Sequence, residues 1–221
     1  MIPTLINTSD GFEIVRAKII SILTTEIASQ KALATAASED PDLWNVRIFS
    51  EANNPFEMFL NNSASSNNSP LCNVMFFESD NDPSSGNLVS EQAEMSKFWL
   101  DCYGYGRAAS TDDGHLPGDE AGAYEASRAA RLVRSILMAG EYIHLGLRGL
   151  VTKRRVVRRT VSKPQSGDEA IQNICLYRLE FEVRHSEVAP QVAETILQEI
   201  HGTITRAEDG QVIATVEYDY T

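Results

Sequence analysis

The stretch Ile174-Cys175-Leu176-Tyr177-Arg178-Leu179-Glu180-Phe181-Glu182-Val183-Arg184 alternates along its length. Cys175, Tyr177, Leu179, Phe181 and Val183 fall on one side, and Arg178, Glu180, Glu182 and Arg184 on the other. Successive side chains of a strand point to opposite faces, so a period of two predicts a strand with one face in a core and the other in water. The wet face mixes both signs of charge. Ion pairing with Arg178 and Arg184 therefore accounts for Glu180 and Glu182 better than acid–base catalysis does.

Outward from this strand, the period changes. Residues 119–139 predict a helix: Asp119 and Glu120 stand at its start, Gly140 just past its end, and Ala126, Ala129, Ala130, Val133, Ile136 and Leu137 form one face. The small residues of that face come early, which lets a helix lie close to a sheet. Arg128, Arg131 and Arg134 fall largely elsewhere on it. Residues 9–36 predict a second, longer helix, capped by Ser9 or Asp10, with Phe12, Val15, Ile19, Ile22, Leu23 and Ile27 at steps of three and four.

Further strands are expected at 44–49, 72–78, 95–103 and 152–161, and a short helical segment at 141–151. Residues 200–206 and 211–218 flank Glu208-Asp209-Gly210, a hairpin signal. The Asn- and Ser-rich stretch 61–70, the acidic stretch 80–86 and the region 104–118 read as loops or linkers. Helix, strands, helix, strands, hairpin make the fold class α+β: a mixed, mostly antiparallel sheet flanked by helices, with a C-terminal hairpin. A length of 221 residues fits one domain, 1–221, with loop insertions near 61–70 and 80–90.

The charge balance bounds the partners. Formal net charge is −12, and the sequence pI is near 4.8. Binding nucleic acid in general rests on neutralising phosphates with Lys and Arg, so this balance argues against it. Cys72, Cys102 and Cys175 are sparse and odd in number, without a C-x-x-C, so neither a disulfide framework nor a zinc site is expected; buried free thiols in a reducing compartment are. The first residues lack a charged start and a long apolar run, and no apolar stretch is long enough for a membrane span. A soluble protein made in a cytoplasm, with no membrane partner, is the expectation.

Against that acidity, Lys153-Arg154-Arg155-Val156-Val157-Arg158-Arg159 stands out. On a strand this run places cations on both faces, so it cannot lie inside a core and must be an edge or an arm. Lys153, Arg154, Arg155, Arg158 and Arg159 are the candidate contact residues for a neighbouring subunit or partner. A solvated edge guarded by charge explains the run equally well, and DNA contact is the weaker reading.

No catalytic constellation emerges. Asp80-Asn81-Asp82-Pro83-Ser84-Ser85-Gly86 with Glu91 has its glycine one place late for a calcium loop, and Pro83 interrupts it. Asp112, Asp113, His115, Asp119 and Glu120 could be imagined around a metal, but no regular element spaces them. His115, His144, His185 and His201 are scattered, and there is no G-x-S-x-G elbow. Gly104-Tyr105-Gly106 lacks the rest of a phosphate cradle and reads as a turn. The expectation is a non-enzyme without cofactor or metal; a small metal-dependent hydrolase using Asp80, Asp82 and Glu91 is the alternative from another class.

Three segments carry a resemblance. Phe98-Trp99-Leu100-Asp101-Cys102-Tyr103-Gly104-Tyr105-Gly106 is followed, after an acidic start, by Ala129-Ala130-Arg131-Leu132-Val133-Arg134-Ser135-Ile136-Leu137-Met138-Ala139-Gly140-Glu141-Tyr142. Leu145-Gly146-Leu147-Arg148-Gly149-Leu150-Val151 comes next. With the late strand 176–183, residues 186–191 and the closing Arg206-Ala207-Glu208-Asp209-Gly210, this order resembles the core of the tail-terminator (neck) proteins of tailed bacteriophages. The resemblance spans roughly residues 90–215 and implies a sheet flanked by helices. It implies a ring, usually a homohexamer, that caps the tail tube, meets the head-completion (connector) proteins and lets genomic DNA pass. Its place would be the virion, after assembly in the bacterial host cytoplasm. A neighbouring neck or head-completion protein is the runner-up within that class.

Overall fold

A computed structural model describes residues 9–53, 55, 59, 69–81, 91–111, 114–162, 173–188, 199–205 and 212–219. The chain divides into two compact units, Asn7–Val188 and a smaller one made of Met1–Ile6 and Ala189–Thr221. The fold class is α+β, as the periodicities predict.

In the larger unit, helix α1 spans Gly11–Ala36 and helix α2 spans Gly118–Leu137. Five strands, β1 (Arg47–Ser50), β2 (Leu71–Asn81), β3 (Glu91–Tyr105), β6 (Val151–Ser162) and β7 (Ile174–Val188), form one sheet in the order β1-β2-β3-β7-β6. β1 runs parallel to β2, and every other pairing is antiparallel. Two three-residue strands, β4 (Ala109–Thr111) and β5 (Gly114–Leu116), pair as a small ladder. In the smaller unit, β8 (Glu199–Thr205) and β9 (Val212–Asp219) form the expected antiparallel hairpin. Its turn at 208–210 lies outside the described residues.

Both helices cover the same face of the sheet. Val15, Ile19, Leu23 and Ile27 of α1 and Ala129, Val133 and Leu137 of α2 pack on Cys72, Val74, Phe98, Leu100, Leu179, Phe181 and Val183. Each large side chain buried there stabilises the fold by about 1.5–3 kcal/mol relative to exposure. α1 starts where Asp10 donates its backbone N–H to the Glu13 carboxylate at 3.0 Å, one half of a capping box. The early small face of α2 has a specific counterpart in β3. A side chain on Gly104 would run into the backbone of Gly122 and Ala126, and one on Gly106 into Gly118 and Gly122. Gly104 is therefore not part of a turn: it sits inside β3, and its missing Cβ lets helix and strand backbones touch.

Other expectations are corrected locally. Residues 141–151 are not a helix but a 3-10 turn, Gly140–Tyr142, followed by irregular turns. Leu145, Gly146 and Gly149 take positive φ there (52°, 66° and 88°), which a right-handed helix excludes. Trp44 closes a 3-10 turn, Pro41–Trp44, instead of opening a strand, because Asp40 accepts the N–H of Asp42 and Pro41 stands at the first position. The 104–118 linker holds β4 and β5, strands too short to show a period. All three cysteines are buried, and Cys72 lies directly across from Cys102. That thiol neighbour, together with burial, pushes Cys102 well up, so it stays protonated.

Candidate interaction surface

The strands that turn Phe98, Leu100, Leu179 and Phe181 towards the helices must turn the intervening side chains the other way. At the centre of that second face is a partly buried ion pair. Arg178 donates from Nε to Asp101 Oδ1 at 2.7 Å and from its terminal nitrogen to Oδ2 at 2.8 Å, directly across β3 and β7. Asp101 is 1% exposed. This fork-on-carboxylate geometry keeps Arg178 firmly charged, Asp101's hydrogen bond outweighing the opposing effect of burial. The guanidinium also lies 3.7 Å over the ring of Trp99, which stacks on Phe77 with centroids 4.1 Å apart. Phe77 is nevertheless 46% exposed.

Ion pairs radiate from this centre. Lys97 of β3 holds Glu78 at 2.5 Å and Asp80 at 3.4 Å on β2, and its pKa is raised mainly by the Glu78 hydrogen bond. Arg155 of β6 holds Glu182 of β7 at 2.7 Å, and Arg158 approaches Glu180 at 3.9 Å. Glu180 and Glu182 are thus ion-paired as expected, though across the ladder and not along their own strand. At the far end Phe49 and Phe59 pack with Leu71, Tyr103 and Ile174 in a second, smaller apolar cluster. Burial pushes the Tyr103 hydroxyl up to about 12, with Asp101's charge adding to it.

The basic run is β6, and β6 ends the sheet. The expectation of an edge strand is met. Its register shifts between Val151 and Lys153 and again between Val156 and Arg158, bulges that leave Val157 40% exposed. The five candidate cations separate by face. Arg155 and Arg158 join Lys153 on the face turned away from both helices, called the open face because no helix among the described residues covers it. Arg159 turns to the helix side opposite Leu179, and Arg154 opposite Val183. Arg154 has work inside the chain: it donates to the Ala139 carbonyl at 2.6 Å and to the Tyr142 carbonyl, holding the turn that follows α2. Burial lowers its pKa.

Sequence reasoning passed over the Asp101–Arg178–Trp99 centre because its partners are 77 residues apart. It also set aside Arg131 and Arg134 as the outer side of a helix; only the position of β6 brings Arg159 beside them. Their spacing of three on α2 was the one local signal.

The residues considered for chemistry are placed as follows. Asp80 is paired with Lys97, and Asp82, Asp112 and Asp113 lie outside the described residues. Among the described residues no three metal-ligating side chains gather. Ser96 Oγ and His185 Nε2 are 2.7 Å apart, but both are fully buried. His185 Nδ1 has no partner among the described residues, so the orienting carboxylate of a hydrolytic triad is missing there. Among the described residues no helix is long and apolar enough to cross a membrane. Compared with known proteins, the chain matches no family model and no curated protein.

Proposed function

We propose that this chain is a structural assembly protein of the tail-terminator kind, a ring that caps a tail tube and joins it to head-completion proteins. The observation that carries the reading is β6: an acidic chain places five of its 19 Lys and Arg residues on the strand that ends its sheet among the described residues. An edge strand offers unpaired backbone groups to another chain. Cations on such an edge, facing a surface of opposite sign, speed encounter and fix register. Heterologous contacts of this form, one patch meeting a different patch of the next copy, close into rings. In the proposed ring the acidic surplus lines the channel and keeps DNA from adhering as it passes. Head-completion proteins would share the size and the oligomeric habit; binding to the tube separates the two readings.

The test uses the full chain, alone and with tube protein. Particle mass and electron microscopy are expected to show rings or capped tubes. Lys153→Glu with Arg158→Glu, two exposed positions, should abolish assembly while leaving the thermal melt within a degree or two of wild type, since exposed pairs contribute only about 0–1 kcal/mol. Normal assembly by this variant would return β6 to a solvated edge. Turnover of a small molecule or nucleic acid, lost on a point change at Asp80, would overturn the reading itself.

A further inference from the structure

Arg131 and Arg134 of α2 and Arg159 of β6 line one recess of about 310 Å³ together with Ser127, Tyr177 and Leu179. All three arginines are exposed. Among the described residues none of them has a carboxylate partner, whereas Arg155 and Arg158 of the same strand do. Arg128, one turn earlier on α2, pairs with Glu125 and donates to the Leu43 carbonyl. The chain holds 31 Asp and Glu against 19 Lys and Arg. Three neighbouring guanidiniums with no carboxylate beside them among the described residues repel one another, Arg131 and Arg134 at the helical spacing where like charges destabilise. An oxyanion removes that repulsion, and a carboxylate can meet the planar fork of a guanidinium with two hydrogen bonds.

We propose that this recess receives the carboxylates of an acidic segment on a second copy of the chain. The inference rests on the ring reading and names the contact that closes the ring. Three observations select this occupant. Arg159 puts β6, the last strand of the sheet among the described residues, into the wall of the recess. A second copy necessarily brings an excess of carboxylates, and the net charge of −12 repels a phosphate polymer. The recess, about 310 Å³ and lined by Leu179 and Tyr177 beside the arginines, has room for one or two side chains.

The experiment is sedimentation velocity on full-length wild type and on Arg131→Gln/Arg134→Gln/Arg159→Gln, from 50 to 500 mM NaCl, with a thermal melt of each. Wild type should assemble, more weakly as salt rises; the variant should melt alike and associate at least tenfold more weakly. Should the triple variant fail to fold, Arg159→Gln alone, on the exposed edge, should still weaken association. A folded variant that assembles like wild type overturns the recess contact and leaves the ring reading standing. Wild type that stays monomeric with and without tube protein overturns both. Inorganic phosphate is the competing probe: saturable binding to wild type, lost in the variant while both assemble alike, would mark a small-anion site and sink the proposal.

Discussion

On the helix side of the sheet, Phe98, Leu100, Phe181 and Val183 are buried to the last atom under α1 and α2. On the other side the same strands carry Trp99, Lys97, Asp101, Arg178, Glu180 and Glu182, held by ion pairs that cross the ladder from β2 to β6. Backbone and register are shared, so the difference lies in what each face does with water. The apolar face gains by excluding it, and any chain of the right pattern and volume can serve. The open face buries the Asp101 and Glu182 carboxylates under partly exposed arginines, which fixes which cation meets which carboxylate.

Breaking the covered face should have the largest consequence. Gly104→Val forces β3 and α2 apart along their whole contact and should leave no cooperative urea transition. Phe181→Ala, at the middle of the core, is expected to cost about 3–5 kcal/mol in urea unfolding. The centre of the open face comes next. Asp101→Ala strands the Arg178 charge, and a loss of about 2–3 kcal/mol is expected, scaled down from a fully buried pair because Arg178 keeps some exposure. Arg178→Met in the same background should recover part of that loss, since the stranded charge goes with it. If Asp101→Ala were silent, the open face would be a loose solvated surface and the contrast between the faces would fall.

A smaller effect is readable in pH. The Tyr103 hydroxyl holds its proton to about 12 in the fold, against an ordinary value of 10 in the unfolded chain. Its folded pKa is the higher, so its contribution is complete below pH 10 and is lost as pH rises towards 12. About 2 kcal/mol should disappear across that window. Tyr103→Phe should flatten the difference curve between pH 10 and 12 in thermal melts. The smallest effect belongs to Arg158 and Glu180, 3.9 Å apart, with the arginine well exposed. A double-mutant cycle there should return less than about 0.5 kcal/mol of coupling, even though the proposed function gives the same arginine a part in assembly.

Much of this was legible before any coordinates. The two helices, the alternation of β7 and the edge character of β6 follow from local period, because 3.6 and 2 are imposed by the backbone on whatever side chains it carries. The shorter or irregular pieces were not legible. Trp44 ends a turn that Asp40 caps, Leu145 and Gly146 reverse the backbone hand, and β4 and β5 are three residues each, too short for a period to register. The candidate surface was half legible: the basic run announced itself by composition, but not that Arg154 would be drawn inward to hold Ala139 and Tyr142.

By itself the sequence determined the elements, the faces they would bury and the contrast between an acidic chain and its one basic strand, since each is a property of neighbours along the chain. Tertiary structure alone decided the strand order and, through it, that Asp101 would meet Arg178, that both helices would crowd one face and leave the other open, and that Arg159 would stand beside Arg131 and Arg134. Those are contacts between residues 25 or more positions apart. Their energies depend on distance and burial, which no local pattern carries.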